Sequence, residues 1–174
     1  AEQTLESKNW YQGTADAVRQ NLRHIVSRGG VDRALILSGD QLYRMNYRAL
    51  LEQHVSTGAE VTVATTPVRP EAARGFGIMQ VAGDGRVTRF VEKPTDPGAL
   101  ASLRVDWSTV QGLDEPVDPE SLPASMGIYV FNRAVLADAL SGNEADFGKH
   151  VIPRLIDTRR VFAFQHQGYW EDIG

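Results

Sequence analysis

Between Thr14 and Val68 the apolar pattern runs helix, strand, helix, strand, and no other feature restricts the fold so strongly. Ala15, Val18, Leu22, Ile25 and Val26 recur at helical spacing over residues 14–28. Thr14 stands where an N-cap is needed, Asp16 falls in the first turn where the helix dipole favours an acid, and Gly29-Gly30 supplies a stop. Residues 33–38 form a short apolar run of the buried-strand type. A second helix is expected over 46–57, capped by Asn46, lined by Tyr47, Leu50, Leu51 and Val55, and ended by Gly58. "EVTVATTPV" (60–68) is β-branched and reads as a strand. This tempo predicts a parallel sheet with crossover helices.

The pattern then changes. "GIMQVAGDGRVTRFVEK" (77–93) holds two strand-like runs around Gly-Asp-Gly, a strong hairpin signal, so antiparallel strands follow the parallel part. Five of the eight prolines (Pro94, Pro97, Pro116, Pro119, Pro123) fall in residues 94–124. A structureless loop of that length is unusual inside a domain, so a surface insertion over about 95–124 with short structure of its own is expected. "SMGIYVF" (125–131) returns to a strand pattern. Helical stretches follow near 133–141 and 147–157, the second interrupted by Pro153, and "RVFAFQHQ" and "YWEDIG" read as closing strands. The expected class is therefore α/β: a Rossmann-like, mixed but mainly parallel sheet flanked by helices, in one domain of 174 residues.

Composition narrows the function classes. Eighteen basic against 22 acidic residues give a net charge of −4, and no basic run offers a surface to nucleic acid. The absence of cysteine excludes disulfides and thiolate metal sites. The opening "AEQTLESKNW" is polar, and no apolar run approaches the roughly 18 residues that span a membrane. No nucleic acid and no membrane are expected as partners, and cytoplasmic is the expected location.

Several polar residues fall at the ends of expected strands, where open α/β sheets bind ligands. Asp40 ends the run "LILSGD". Glu92-Lys93 ends another, with Pro94 biasing Lys93 toward an extended backbone. Ser125 opens a third strand, and Asp172 closes the last within the frame of Tyr169-Trp170. Two carboxylates without thiols or a His pair suit a hard cation such as Mg2+, and a lysine beside them suits an anionic substrate. Each has a plainer reading too: Asp40 as a helix cap, Lys93 as a solvated surface lysine. Gly13-Thr14 opens a helix whose free N–H groups could receive a phosphate or a base edge. Gly75-Phe76-Gly77 allows close backbone approach to a ligand or simply a turn. Trp10-Tyr11 could stack on a purine or serve as core. Asp146-Phe147-Gly148 spells a kinase triplet, but no other kinase motif accompanies it, and Asp146 is expected to cap the following helix.

In order, "WYQGTADAVRQNL", "LILSGDQLYRMNY", "GFGIMQV", "RFVEKP", "ASMGIYVF", "DFGKHVIP" and "YWEDIG" resemble successive motifs of sugar nucleotidyltransferases, in the glucose-1-phosphate adenylyltransferase (ADP-glucose pyrophosphorylase) branch. The resemblance runs from residue 1 to 174 and is weakest in the insertion. It implies transfer of the adenylyl group of ATP to α-D-glucose 1-phosphate, giving ADP-glucose and pyrophosphate for glycogen or starch synthesis. The sugar phosphate would attack the α-phosphorus in line, with positioning and charge neutralisation as the protein's share. By motif, Asp40 and Asp172 would hold Mg2+ and Lys93 would grip the sugar phosphate. Gly77, Glu92 and Ser125 would contact the sugar, while Tyr11, Gly13, Thr14 and Gly39 would lie along the nucleotide. A homo- or hetero-tetrameric parent protein is implied as well.

The chain departs from that family at both ends. The family's glycine-rich loop, about G-G-x-G-x-R-L, has no match in residues 1–13, and its C-terminal β-helix does not follow "YWEDIG". The expectation is a partial catalytic domain over 1–174, inactive by itself. Alternative readings are a thymidylyl- or uridylyltransferase, a non-catalytic regulatory subunit that binds sugar phosphates, or a plain α/β domain whose acids only cap and orient.

Overall fold

The computed structural model describes residues 10–27, 29–110 and 112–173; residues 1–9, residue 28 at the end of the first expected helix, residue 111 in the insertion and residue 174 lie outside the described residues. The elements in chain order are α1 (Thr14–Val26), β1 (Arg33–Ile36), β2 (Gln41–Tyr43), α2 (Tyr47–Ser56), β3 (Val61–Val68), β4 (Gly77–Val81) and β5 (Val87–Glu92). After them come α3 (Pro97–Ser102), β6 (Leu122–Asn132), α4 (Arg133–Ala139), a π turn over Phe147–Val151, α5 (Ile152–Ile156), β7 (Val161–Gln165) and β8 (Trp170–Asp172). Among the described residues no helix is long and apolar enough to cross a membrane.

The mixed sheet with flanking helices is present, but its pairing differs from the expectation. The main sheet runs β5-β4-β6-β3-β7, with β1 also on β6. Among the described residues β3 with β7 is the parallel pair, whereas β1·β6, β3·β6, β4·β5 and β4·β6 are antiparallel. The mainly parallel arrangement is thus corrected. β1 and β3 do point the same way, as a strand–helix–strand crossover requires. However, β6 lies between them and runs opposite to both. Local periodicity reports the direction of a crossover strand and is blind to a strand from 50 or more residues away that slides in beside it.

The eleven-residue β6 is the spine of the domain. β3 follows one edge along its length, so β1 at Tyr129–Asn132 and β4 at Ala124 share the other. Its register with β3 breaks between Val63 and Thr65, where Met126, Gly127 and Ile128 oppose Ala64 alone. Such a bulge bends a strand and re-aims its side chains. Gly127 takes φ +66 there, a left-handed conformation that glycine adopts at no steric cost.

Two apolar layers cover the sheet. On one face Val61, Val63, Met79, Phe131 and Val161 pack under α1, α4 and α5, with Tyr129, Phe131 and Phe147 forming an aromatic trio at centroid separations of 5.2–6.2 Å. On the other, Leu50 of α2 packs on Ala64, Met126, Ile128 and Val130. Asn46 caps α2 as expected, accepting from Ala49 N at 3.2 Å, and Asp146 caps the π turn, accepting from Lys149 N at 2.9 Å. Thr14 does not cap α1: the N-cap is Gly13, and the Thr14 hydroxyl donates to Asp146 Oδ2 while accepting from Phe147 N, both at 3.2 Å. The insertion carries α3 and a small core of its own around Val105, Trp107 and Val110, and it ends three residues early because β6 starts at Leu122.

Candidate active site

A cleft of about 480 Å³ opens where the C-terminal end of β1, the start of β4, the bulge of β6 and the π turn converge. It gathers Thr14, Asp40, Gly77, Glu92, Lys93, Ser125 and Asp172, seven of the ten residues singled out from sequence. Tyr11, Gly13 and Gly39 do not line it. The Tyr11 hydroxyl accepts from Asn21 Nδ2 at 3.2 Å. At Gly13, a side chain would collide with the Ala145 carbonyl, which takes the N–H groups of Ala15 and Asp16 at 2.9 and 3.1 Å. Those amides, expected to be free for a ligand, are thus engaged with the chain itself.

The cleft has two walls. The first stands on the main sheet. Glu92 pairs with Gly77 across β5·β4, and one step along β4 Ile78 pairs with Ala124, which sets Gly77 beside Ser125. Ser125 is buried, and its Oγ accepts from Gly127 N at 3.3 Å. A Cβ at Gly77 would stand 2.8 Å from Glu92 Oε2, and one at Gly148 would stand 2.6 Å from the same oxygen. The Glu92 carboxylate thus lies against both glycines, and at Gly77 the Phe90 ring is closer still to where a Cβ would stand. Burial raises the Glu92 carboxyl above its ordinary range, the nearby Asp146 carboxylate adds to the rise, and Lys93 and Lys149 oppose it. Burial also pushes the Tyr129 phenol up, partly offset by a hydrogen bond with Ser125.

Lys93 departs from the extended conformation expected before a proline. Its φ is +46°, the single positive value among described non-glycine residues. Its N–H closes the β4–β5 ladder by donating to Phe76 O at 3.0 Å, and the chain turns sharply into Pro94. A side-chain residue held there costs about 1–3 kcal/mol and is found where surrounding structure over-determines it, often at binding sites.

The second wall is a separate ribbon. β2 and β8 pair with each other in a two-stranded antiparallel sheet, Gln41 opposite Asp172. Asp40 therefore sits one residue before the position facing Asp172, and its carbonyl accepts from Ile173 N at 3.0 Å. Both acids are exposed toward the cleft. The Ser38 hydroxyl donates to Asp40 Oδ1 and orients it. Trp170 anchors the ribbon, its ring edge-on to Phe76 at 5.4 Å and its indole N–H donating to Gln41 Oε1 at 3.1 Å.

This paired, all-oxygen donor set fits a hard divalent cation. No cluster of three or more ligating side chains occurs among the described residues, but Mg2+ bound largely through substrate phosphates needs only one or two carboxylates. Sequence reasoning passed over Ser38, Tyr129 and Gly148, which also line the cleft, and took Asp146 for a cap alone. Ser38 had a signal in its place two residues before Asp40. Gly148 had none, since its role depends on Glu92 arriving from 56 positions away.

A family model described as nucleotidyl transferase matches residues 1–174. Glucose-1-phosphate adenylyltransferase 2 of Alkalilimnicola ehrlichii is 45% identical to the chain over 186 aligned residues. That alignment covers 100% of this chain and 40% of the relative, so the chain spans less than half the length of the curated protein it matches.

Proposed function

The chain belongs to the nucleotidyl transferase family, and from that premise we propose that its protein transfers the adenylyl group of ATP to α-D-glucose 1-phosphate, releasing ADP-glucose and pyrophosphate. The observation that carries this reading is the convergence, in one cleft, of a carboxylate pair, a lysine and a recessed Glu-Gly-Ser row from five separate strands or turns. A role in glycogen synthesis and a cytoplasmic location go with this reading, the former on the strength of the relative's name.

The recessed wall suits a sugar. Glu92 and Ser125 offer an acceptor and a hydroxyl at the floor, and the glycines at 77 and 148 leave the room that the Glu92 carboxylate occupies. Lys93, at the rim and held by its backbone rather than by its side chain, suits the phosphate of the sugar. Asp40 and Asp172 would hold Mg2+, which when bound supplies charge neutralisation for the α-phosphate. Ser38 holds Asp40 in place, so that no reorganisation is needed as charge shifts. The in-line displacement then depends on holding both phosphates at fixed separation, for which the two walls are the structural means.

The test is product formation by the full-length protein from glucose 1-phosphate and each nucleoside triphosphate in turn. ADP-glucose from ATP, at a rate well above that of the uridine and thymidine counterparts, is the expected result. Preference for another nucleotide, or no product with any, would overturn the reading.

A further inference from the structure

Four residues, His166–Tyr169, join β7 to β8. One side of this loop is pinned to the main body: His166 N donates to Thr65 O at 2.7 Å, His166 Nε2 lies 3.3 Å from Tyr169 O, and that carbonyl accepts from Arg44 N at 3.1 Å. Gln167 reaches the other way, into the insertion. Its Oε1 accepts from Asp114 N at 2.5 Å and Glu115 N at 3.1 Å, and its Nε2 donates to Glu115 O at 2.7 Å. A single side chain thus satisfies three backbone groups more than 50 positions away, in a stretch without helix or strand.

The stretch so gripped is part of a small body. Leu113 and Val117 flank residues 114–116 and pack on the Val105, Trp107 and Val110 cluster, while Trp107 Nε1 donates to Ser121 O at 2.9 Å, immediately before β6. Asp172 lies five residues beyond Gln167, on a three-residue strand whose partner is the equally short β2. A two-stranded ribbon is marginal by itself, so the loop that feeds β8 has leverage over where its carboxylate stands.

We propose that Gln167 is a positioning residue that couples the insertion to β8 and thereby sets the placement of Asp172; its consequence for turnover rests on the adenylyl-transfer reading above. Gln167 does not line the cleft, so its action is through β8. The insertion becomes a lever on one wall of the site, and whatever stiffens or loosens residues 113–117 is felt at the carboxylate pair.

The experiment compares wild type, Gln167→Ala and Gln167→Glu in the full-length protein by hydrogen–deuterium exchange, steady-state kinetics and thermal melting. In Gln167→Ala, amides of both 113–117 and 170–173 should exchange faster while those of α2 keep their protection. Its kcat should fall about tenfold with both KM values roughly unchanged, as expected for a misplaced catalytic group. Gln167→Glu keeps the acceptor for two N–H groups but faces the Glu115 carbonyl with a carboxylate, so it should fall between. Unchanged protection of 170–173 in Gln167→Ala overturns the proposal, as does faster exchange there with kcat unaltered. A wild type that makes no ADP-glucose but shows the coupled exchange pattern on substitution would refute the substrate assignment and leave the coupling standing.

Discussion

Gly77, Glu92, Ser125 and Tyr129 stand on strands of the six-stranded sheet, whereas Asp40 and Asp172 stand at the ends of a ribbon of two three-residue strands. The first group is half-buried or buried, fixed by ladders on several edges and by an aromatic trio beneath it. The second is exposed and held by a few identifiable ties: Ser38 on Asp40, Trp170 on Phe76 and Gln41, and the loop that contains Gln167. Buried groups gain selectivity because each polar atom must meet its match, while carboxylates at a cleft's exposed edge can share a cation with a ligand's phosphates. In the proposed reading the cleft divides the labour: the sheet wall would meet the sugar, and the ribbon's carboxylates, with Lys93 at the rim beyond β5, would meet the phosphates.

The division can be broken most visibly on the ribbon. Asp40→Asn should lower kcat about a thousandfold in the full-length protein, the scale of preorganised charge stabilisation, with the melting temperature nearly unchanged. A kcat within a few-fold of wild type would remove Asp40 from the chemistry. Phe147→Ala, under the sheet wall, should behave in the opposite way. It should lose about 3–5 kcal/mol of stability in urea titration, since Phe147 is fully buried against Tyr129 and Phe131. A loss under 1 kcal/mol would mean the trio does not support the wall.

Between these extremes lies Lys93, on the rim. Lys93→Ala should raise the KM for glucose 1-phosphate about 10–100-fold, the range for one charge-assisted hydrogen bond, with less effect on the KM for ATP. Equal effects on both substrates would contradict its assignment to the sugar phosphate.

The smallest effect concerns Glu92 and pH. Its carboxyl is raised in the folded state, so folding favours the protonated form. The stability it contributes is present below the ordinary carboxyl pKa and is lost as pH rises through the raised value. Glu92→Gln should therefore be slightly more stable than wild type at neutral pH, with the gap closing as pH falls toward 4.5, while sugar binding weakens. Denaturation midpoints across pH 4–8, roughly, would show it. A gap that widens in acid would mean that Glu92 is stabilised as the carboxylate.

Much of this was legible along the chain, for reasons that are local. Asn46 capping α2, the Gly-Asp-Gly hairpin and the strand ending shortly before Asp40 depend on neighbours within a few residues, where propensity and hydrogen bonding act directly. Lys93 shows where local reasoning fails. The preference before proline favours an extended backbone, but the ladder bond to Phe76 O and the turn out of β5 impose φ +46°. Thr14 fails similarly: a good capping residue by type, its hydroxyl is drawn to Asp146 and Phe147, more than 130 positions away.

The sequence by itself determined most of the elements and the chemical kinds of residue available, because helix and strand periods, caps and turns are short-range physics; β2, three residues whose partner is β8, carried no such local signal. Tertiary structure alone decided that β6 enters between β1 and β3, that Glu92 fills the space left by Gly77 and Gly148, and that Asp172 comes to face the residue after Asp40. Such juxtapositions depend on packing and strand register between distant segments. Their energies exist only once the chain has closed on itself.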